Sequence, residues 1–114
     1  MRMEKRRHQR IEIKNFWADV SDGKGFFSGV VTNLSRFGLG MTDLPAKLDS
    51  NQRLSIVISG HGRNFKMLVK PRWAQKESMQ KSVGVEIMNA PWGWTEFIMQ
   101  METPPDDVLG VITL

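Results

Sequence analysis

The chain has 114 residues, no cysteine, a net charge of +4, and a composition that is 40% hydrophobic and 25% charged, which suits one soluble domain with a single core. Without cysteine there is no disulfide, thiolate metal site or cysteine nucleophile, and no apolar run approaches the ~20 residues that span a bilayer. The basic start is followed by Ile11-Glu12-Ile13-Lys14 rather than an apolar stretch, so no secretory signal is expected and the cytoplasm is the expected compartment.

Residues 1–10 carry Arg2, Lys5, Arg6, Arg7 and Arg10 against the single acid Glu4. No hydrophobic period runs through them, so they are expected to form a flexible basic arm ahead of one domain over 11–114. The last basic residue is Lys81, and five acids follow it (Glu86, Glu96, Glu102, Asp106, Asp107). The N-terminal part is therefore the side that suits an anion.

Ile11 and Ile13 alternate with Glu12 and Lys14, and Phe16, Trp17, Ala18 and Val20 follow. This predicts one strand over 11–20. Ser21-Asp22-Gly23-Lys24-Gly25 is a turn, with Asp-Gly as its strongest signal, and Phe26 to Thr32 is the returning strand. Asn33 to Gly40 breaks the pattern with turn-forming Asn, Ser and Gly. A short strand resumes over 39–42. Asp43 to Gln52 is polar, contains Pro45, and is expected to be a loop. Leu54, Ile56 and Ile58 alternate, Gly60-His61-Gly62 is a turn, and Phe65, Met67, Val69, Pro71 and Trp73 continue on one face. Pro71 cannot donate to a ladder, which points to an edge or a bulge. Val83, Val85 and Ile87 mark another strand after a turn over 77–81. Trp94, Phe97, Ile98 and Met101 then fall at helical spacing, with Pro91 at the start and Pro104-Pro105 at the end, so a helix is expected over about 91–102. About six short antiparallel strands and one helix describe a small all-β barrel, closed so that no strand edge stays open, with the helix plugging one end.

Catalytic chemistry finds little support. His8 and His61 have no second histidine at ligand spacing, the carboxylates are scattered singly apart from Asp106-Asp107, and there is no glycine-rich phosphate loop. No enzyme activity, metal or cofactor is expected. An anion site is better supported. Arg6 and Arg10 make an Arg-x-x-x-Arg pair, and a guanidinium can fork onto phosphate or the O6/N7 edge of guanine. Asn33-Leu34-Ser35-Arg36-Phe37-Gly38 offers an amide, a hydroxyl two residues on, and a glycine that lets the chain turn beneath a ligand. Taken singly, the arginines fit a solvated tail and Asn33–Gly38 fits a plain turn.

Together, Arg6-Arg7-His8-Gln9-Arg10 before the first strand and Asn33-Leu34-Ser35-Arg36-Phe37-Gly38 after the second resemble the PilZ domain family, and Val83-Gly84-Val85-Glu86-Ile87 is similar to that family's glycine-containing late strand. The resemblance covers about Lys5 to Ile87. It implies a six-stranded antiparallel PilZ-type β-barrel that binds the bacterial second messenger cyclic di-GMP. Arg6 and Arg10 would grip guanine edges and phosphates, Asn33 and Ser35 would hydrogen-bond the ligand, and Gly38 would shape the turn; Lys5, Arg7 and Arg36 are further candidates. A near copy at Asp19-Val20-Ser21 lacks the glycine, since position 24 is Lys24. The resulting expectation is a stand-alone receptor whose arm orders on binding and signals to an unidentified downstream protein. Two other readings stay open: first, a small barrel binding single-stranded nucleic acid through the arm and Phe37 or Trp73, and after it a protein-interaction barrel that binds no nucleotide.

Overall fold

The computed structural model describes residues 10–102. Lys5, Arg6 and Arg7, with the rest of 1–9 and the apolar tail 108–114, lie outside the described residues. The elements in chain order are β1 (Ile11–Glu12), β2 (Trp17–Ser21), β3 (Phe26–Leu34), β4 (Gly38–Pro45), β5 (Leu54–Gly60), β6 (Arg63–Glu77), β7 (Gln80–Ile87) and α1 (Trp94–Met101). Every pairing is antiparallel. The order β3-β2-β5-β6-β7-β4 closes where β4 pairs back onto β3, and β1 lies beside β3 beyond the end of β2. This is a closed six-stranded barrel with one short C-terminal helix. Closure satisfies edge groups that short open strands would leave exposed.

The strand expected over 11–20 is two pieces. Ile13 and Phe16 are both buried, yet three residues apart they would face opposite sides of one regular strand. The Ile13 amide donates to Thr32 O at 3.1 Å, and Phe16 O accepts from the Val31 amide at 3.0 Å. These partners are adjacent on β3, so Lys14 and Asn15 loop out between them, Asn15 with φ 65°. The insertion swaps the phase and turns both side chains inward. β4 uses the same device. It runs on through the expected loop to Pro45, because a register shift between Met41 and Leu44 absorbs Asp43 (φ 63°) and keeps both apolar residues buried. In β6 the shift falls between Pro71 and Trp73, where proline could not complete the ladder. Beyond it Trp73 turns outward, half exposed, and residues 72–80 are exposed.

The turn at 21–25 is built on Asp22, whose buried carboxylate accepts the Lys24, Gly25 and Asp49 backbone amides at 2.8, 2.9 and 3.0 Å. The Asp49 and Lys24 amides lead in holding this carboxyl below the usual carboxylate range.

Inward positions of all six barrel strands meet in one core that includes Phe16, Val20, Leu34, Leu39, Ile56, Val69 and Val85. Each large apolar side chain buried this way contributes about 1.5–3 kcal/mol. The helix closes one end. Trp94, Phe97 and Ile98 are buried, with Trp94 edge-on to Phe65 (centroids 5.0 Å) and Phe97 against Phe16 (5.6 Å) and Phe65 (5.2 Å). The helix begins at Trp94 rather than about residue 91. Gly93 has φ 87°, a left-handed conformation that no helix interior contains, and the Trp94 amide bonds back to Pro91 O at 3.1 Å. Trp92 before it is fully exposed. No helix among the described residues is long and apolar enough to cross a membrane.

Candidate functional site

The connection between β3 and β4 carries the Asn33–Gly38 motif, and its geometry follows from three residues. Leu34 is fully buried and anchors the end of β3. The Ser35 amide donates to Gly38 O at 2.9 Å. The Ser35 hydroxyl accepts from the Gly38 amide at 3.1 Å and lies 3.2 Å from Gly38 O, to which it donates. Ser35 is thus buried and closes the turn with its own side chain. Gly38 fits because β7 passes directly behind it: a Cβ at this position would lie 2.8 Å from Val85 O. The Ile87 amide also donates to Phe37 O at 2.8 Å. The turn is therefore pinned to β7 and leaves no room for a larger residue at 38.

Asn33 sits at the end of β3, opposite Glu12 on one side and Gly40 on the other. The Arg10 guanidinium donates to Asn33 Oδ1 at 2.5 Å. Residues 23 apart in sequence, one from each half of the expected site, are thereby joined. β1 is what brings them together, since its two residues pair with Asn33 and Leu34 and deliver Arg10 beside the motif. A groove of about 830 Å³ opens alongside, lined by Glu12 to Asn15 on one wall and Val30 to Asn33 on the other.

Arg36 faces elsewhere. Its fork takes Glu102 at 3.2 Å (Nε) and 2.8 Å (Nη2), and this carboxylate holds the guanidinium still more firmly in its charged form. The Trp94 indole N–H donates to Arg36 O at 3.1 Å. The motif turn is thus fastened to both ends of α1. Glu102 lies 66 residues from Arg36 and no local spacing signals the pair; Trp94 was visible only as part of the helical stripe. Of the eight candidate positions, Arg10 and Asn33 touch, Ser35 and Gly38 form the turn, Arg36 is paired to the helix, and Lys5, Arg6 and Arg7 lie outside the described residues.

The PilZ domain family profile matches residues 4–91. A search of the curated proteins found no match. Among solved structures, the PilZ domain of YcgR from Escherichia coli with c-di-GMP superposes with a TM-score of 0.69 at 15% identity, covering 91% of this chain and 96% of that one. The Bacillus subtilis inhibitor of motility MotI (DgrA) gives 0.69 at 16% identity, covering 88% and 50%. PlzA of Borreliella burgdorferi, in complex with c-di-GMP, gives 0.67 at 14% identity, covering 93% and 55%. The chain spans about half the length of MotI and PlzA. At these identities the likeness establishes the shared barrel.

Proposed function

The chain belongs to the PilZ domain family, and from that premise we propose that it is a bacterial cytoplasmic receptor for cyclic di-GMP, without catalytic activity of its own. The observation that carries this reading is the Arg10–Asn33 contact at the Ser35–Gly38 turn. It supports a composite site made by the end of the basic arm and a rigid barrel corner. YcgR's PilZ domain and PlzA are c-di-GMP complexes, which supports the same ligand here.

Cyclic di-GMP carries two phosphates and two guanines, so its capture calls for charge and edge recognition together. Arg6 and Arg10 supply both as bidentate donors. Asn33 can donate to and accept from a base edge. Ser35 and Gly38 hold the corner on which Asn33 stands, and Lys5 and Arg7 add positive field. Ligand binding fixes the arm over the barrel, and the newly ordered surface is what a downstream protein partner reads.

Calorimetry with cyclic di-GMP tests this. Wild type is expected to bind with a low, fixed stoichiometry. Arg10→Ala and Asn33→Ala are expected to bind ~10–100-fold more weakly, the range of one bidentate base contact. Absence of any heat with wild type at about 100 μM ligand, roughly 5.5 kcal/mol on the affinity scale, would sink the reading.

A further inference from the structure

β6 has 15 residues and β5 has seven, so β5 covers only part of β6. Their pairing ends at Leu54 opposite Val69, whereas β7 follows the other side of β6 out to Glu77. Over residues 70–77, one edge of β6 therefore has no strand beside it among the described residues. The direction of its backbone groups follows from two bonds of β7 and its continuation. The Met88 amide donates to Leu68 O at 2.9 Å, and the Ile87 amide donates to Phe37 O at 2.8 Å. Even positions of β7 thus face β6, and odd ones face β4. Gln80, Ser82 and Gly84 are opposite Glu77, Gln75 and Trp73, which leaves the N–H and C=O of Ala74 and Lys76 aimed at the open side.

An edge of this kind is a template for one more strand. A groove of about 460 Å³ runs along its first half, between residues 50–53 and 70–74. Arg53, Lys70 and Arg72 are exposed on its walls, and Lys76 is exposed further along the edge. Glu86 meets Arg72 at 3.3 Å and leaves the other three cations in excess. Pro71, the bulge after it and Lys76 are devices that keep such an edge from pairing with its like, and two copies of it would bring the same basic groups together. The occupant that fits is an acidic segment rich in strand-forming residues.

The chain carries one. Asp106-Asp107 precede Val108-Leu109-Gly110-Val111-Ile112-Thr113-Leu114, where four of seven side chains are β-branched. Its starting point is fixed, because Arg36 holds Glu102 at 2.8 Å. Phe37, next to Arg36, bonds to Ile87, and Ile87 is opposite Val69. The open edge thus begins two inter-strand steps from the end of the helix, ~10 Å, and residues 103–107 span up to ~17 Å when extended. Residues 108–114 as a strand reach ~23 Å, against ~26 Å for residues 70–77. We propose that residues 108–114 dock on the open edge of β6 as an added strand, with Asp106 and Asp107 beside Arg53, Lys70 and Arg72. The tail covers the backbone that β5 leaves bare, and fastens the end of the chain to the protruding β6–β7 hairpin.

Amide hydrogen exchange of the full chain, followed by NMR, tests this. Ala74 and Lys76 are expected to be protected in wild type, and Gln75, which faces β7, reports whether the hairpin itself is folded. Val111→Pro and Ile112→Pro each remove one donor from the tail, and strand alternation makes one of the two face β6. At least one variant is expected to exchange Ala74 and Lys76 about 10-fold faster or more, with Gln75 unchanged. Asp106→Lys with Asp107→Lys is expected to speed the same two amides, more at low salt than at high. Ala74 and Lys76 exchanging freely in wild type while Gln75 is protected would overturn the proposal. So would protection that survives both proline variants, or protection that falls on dilution, which would make a second copy the occupant.

Discussion

Asp22 shows how much a single side chain decides in this barrel. Its two oxygens satisfy three backbone amides, two within its own turn and the third on Asp49 across the neighbouring loop. The folded-state pKa is depressed, so its contribution is fully present above the ordinary carboxylate pKa and is lost as pH falls through the folded value. Asp22→Asn retains one acceptor but turns an amide NH₂ toward the Asp49 N–H, leaving that donor unpaired. The variant is expected to melt below wild type at pH 7, and the gap is expected to shrink as pH drops below about 4. Melting curves across this interval check it, and a gap independent of pH counts against the carboxylate's role. At the same scale, the sequence made the Asn33–Gly38 motif visible but not the aim of its side chains. Ser35 reads as a hydroxyl available to a ligand, yet it folds into its own turn, because a buried Gly38 amide needs a partner and the nearest one is local. Arg36 reads as another ligand candidate, yet its partner Glu102 is set by tertiary packing of the helix.

The elements were legible wherever apolar residues keep one phase. β3, β5, the first half of β6, β7 and α1 all follow from alternation or from helical spacing. The places that differ are those where the phase changes within an element. Ile11 and Ile13 stand on odd positions and Phe16, Ala18 and Val20 on even ones. That switch records the loop-out at Lys14-Asn15, since one unbroken strand could not bury both sets. Met41 and Leu44 record the bulge at Asp43 in the same way. The helix was legible by its stripe, and its role is to close the barrel and to hold the motif turn. Trp94 does both, burying its ring against Phe65 and donating to Arg36 O. Trp94→Ala is expected to cost about 3–5 kcal/mol, the range for large aromatic truncations in a core. Trp94→Phe is expected to cost less, because it keeps the packing and gives up the hydrogen bond. Urea unfolding of both variants measures this; a Trp94→Phe variant as stable as wild type would mean that the bond to the motif turn contributes nothing.

At the scale of the whole molecule, the barrel works as a fixed frame. Its corner presents Asn33, and its sequence places the basic arm directly before β1. A ligand that binds only the folded frame must raise the frame's stability by linkage, about 2.7 kcal/mol when it is present at 100-fold its Kd. For a domain of roughly 100 residues each kcal/mol shifts the melting temperature by about 4 °C, so saturating cyclic di-GMP is expected to raise it by about 10 °C. The same concentration is expected to give a markedly smaller rise in Arg10→Ala. Salt separates this from a generic basic surface. A ligand with two phosphates displaces few counterions, so affinity should fall far less between about 50 and 200 mM salt than the ~10³–10⁵-fold seen for proteins making 6–10 phosphate contacts. Thermal shifts measured at both salt concentrations, with cyclic di-GMP and with single-stranded oligonucleotides of increasing length, distinguish the two. A stabilisation that grows with oligonucleotide length and collapses with salt would assign the arm to nucleic acid and overturn the cyclic di-GMP reading.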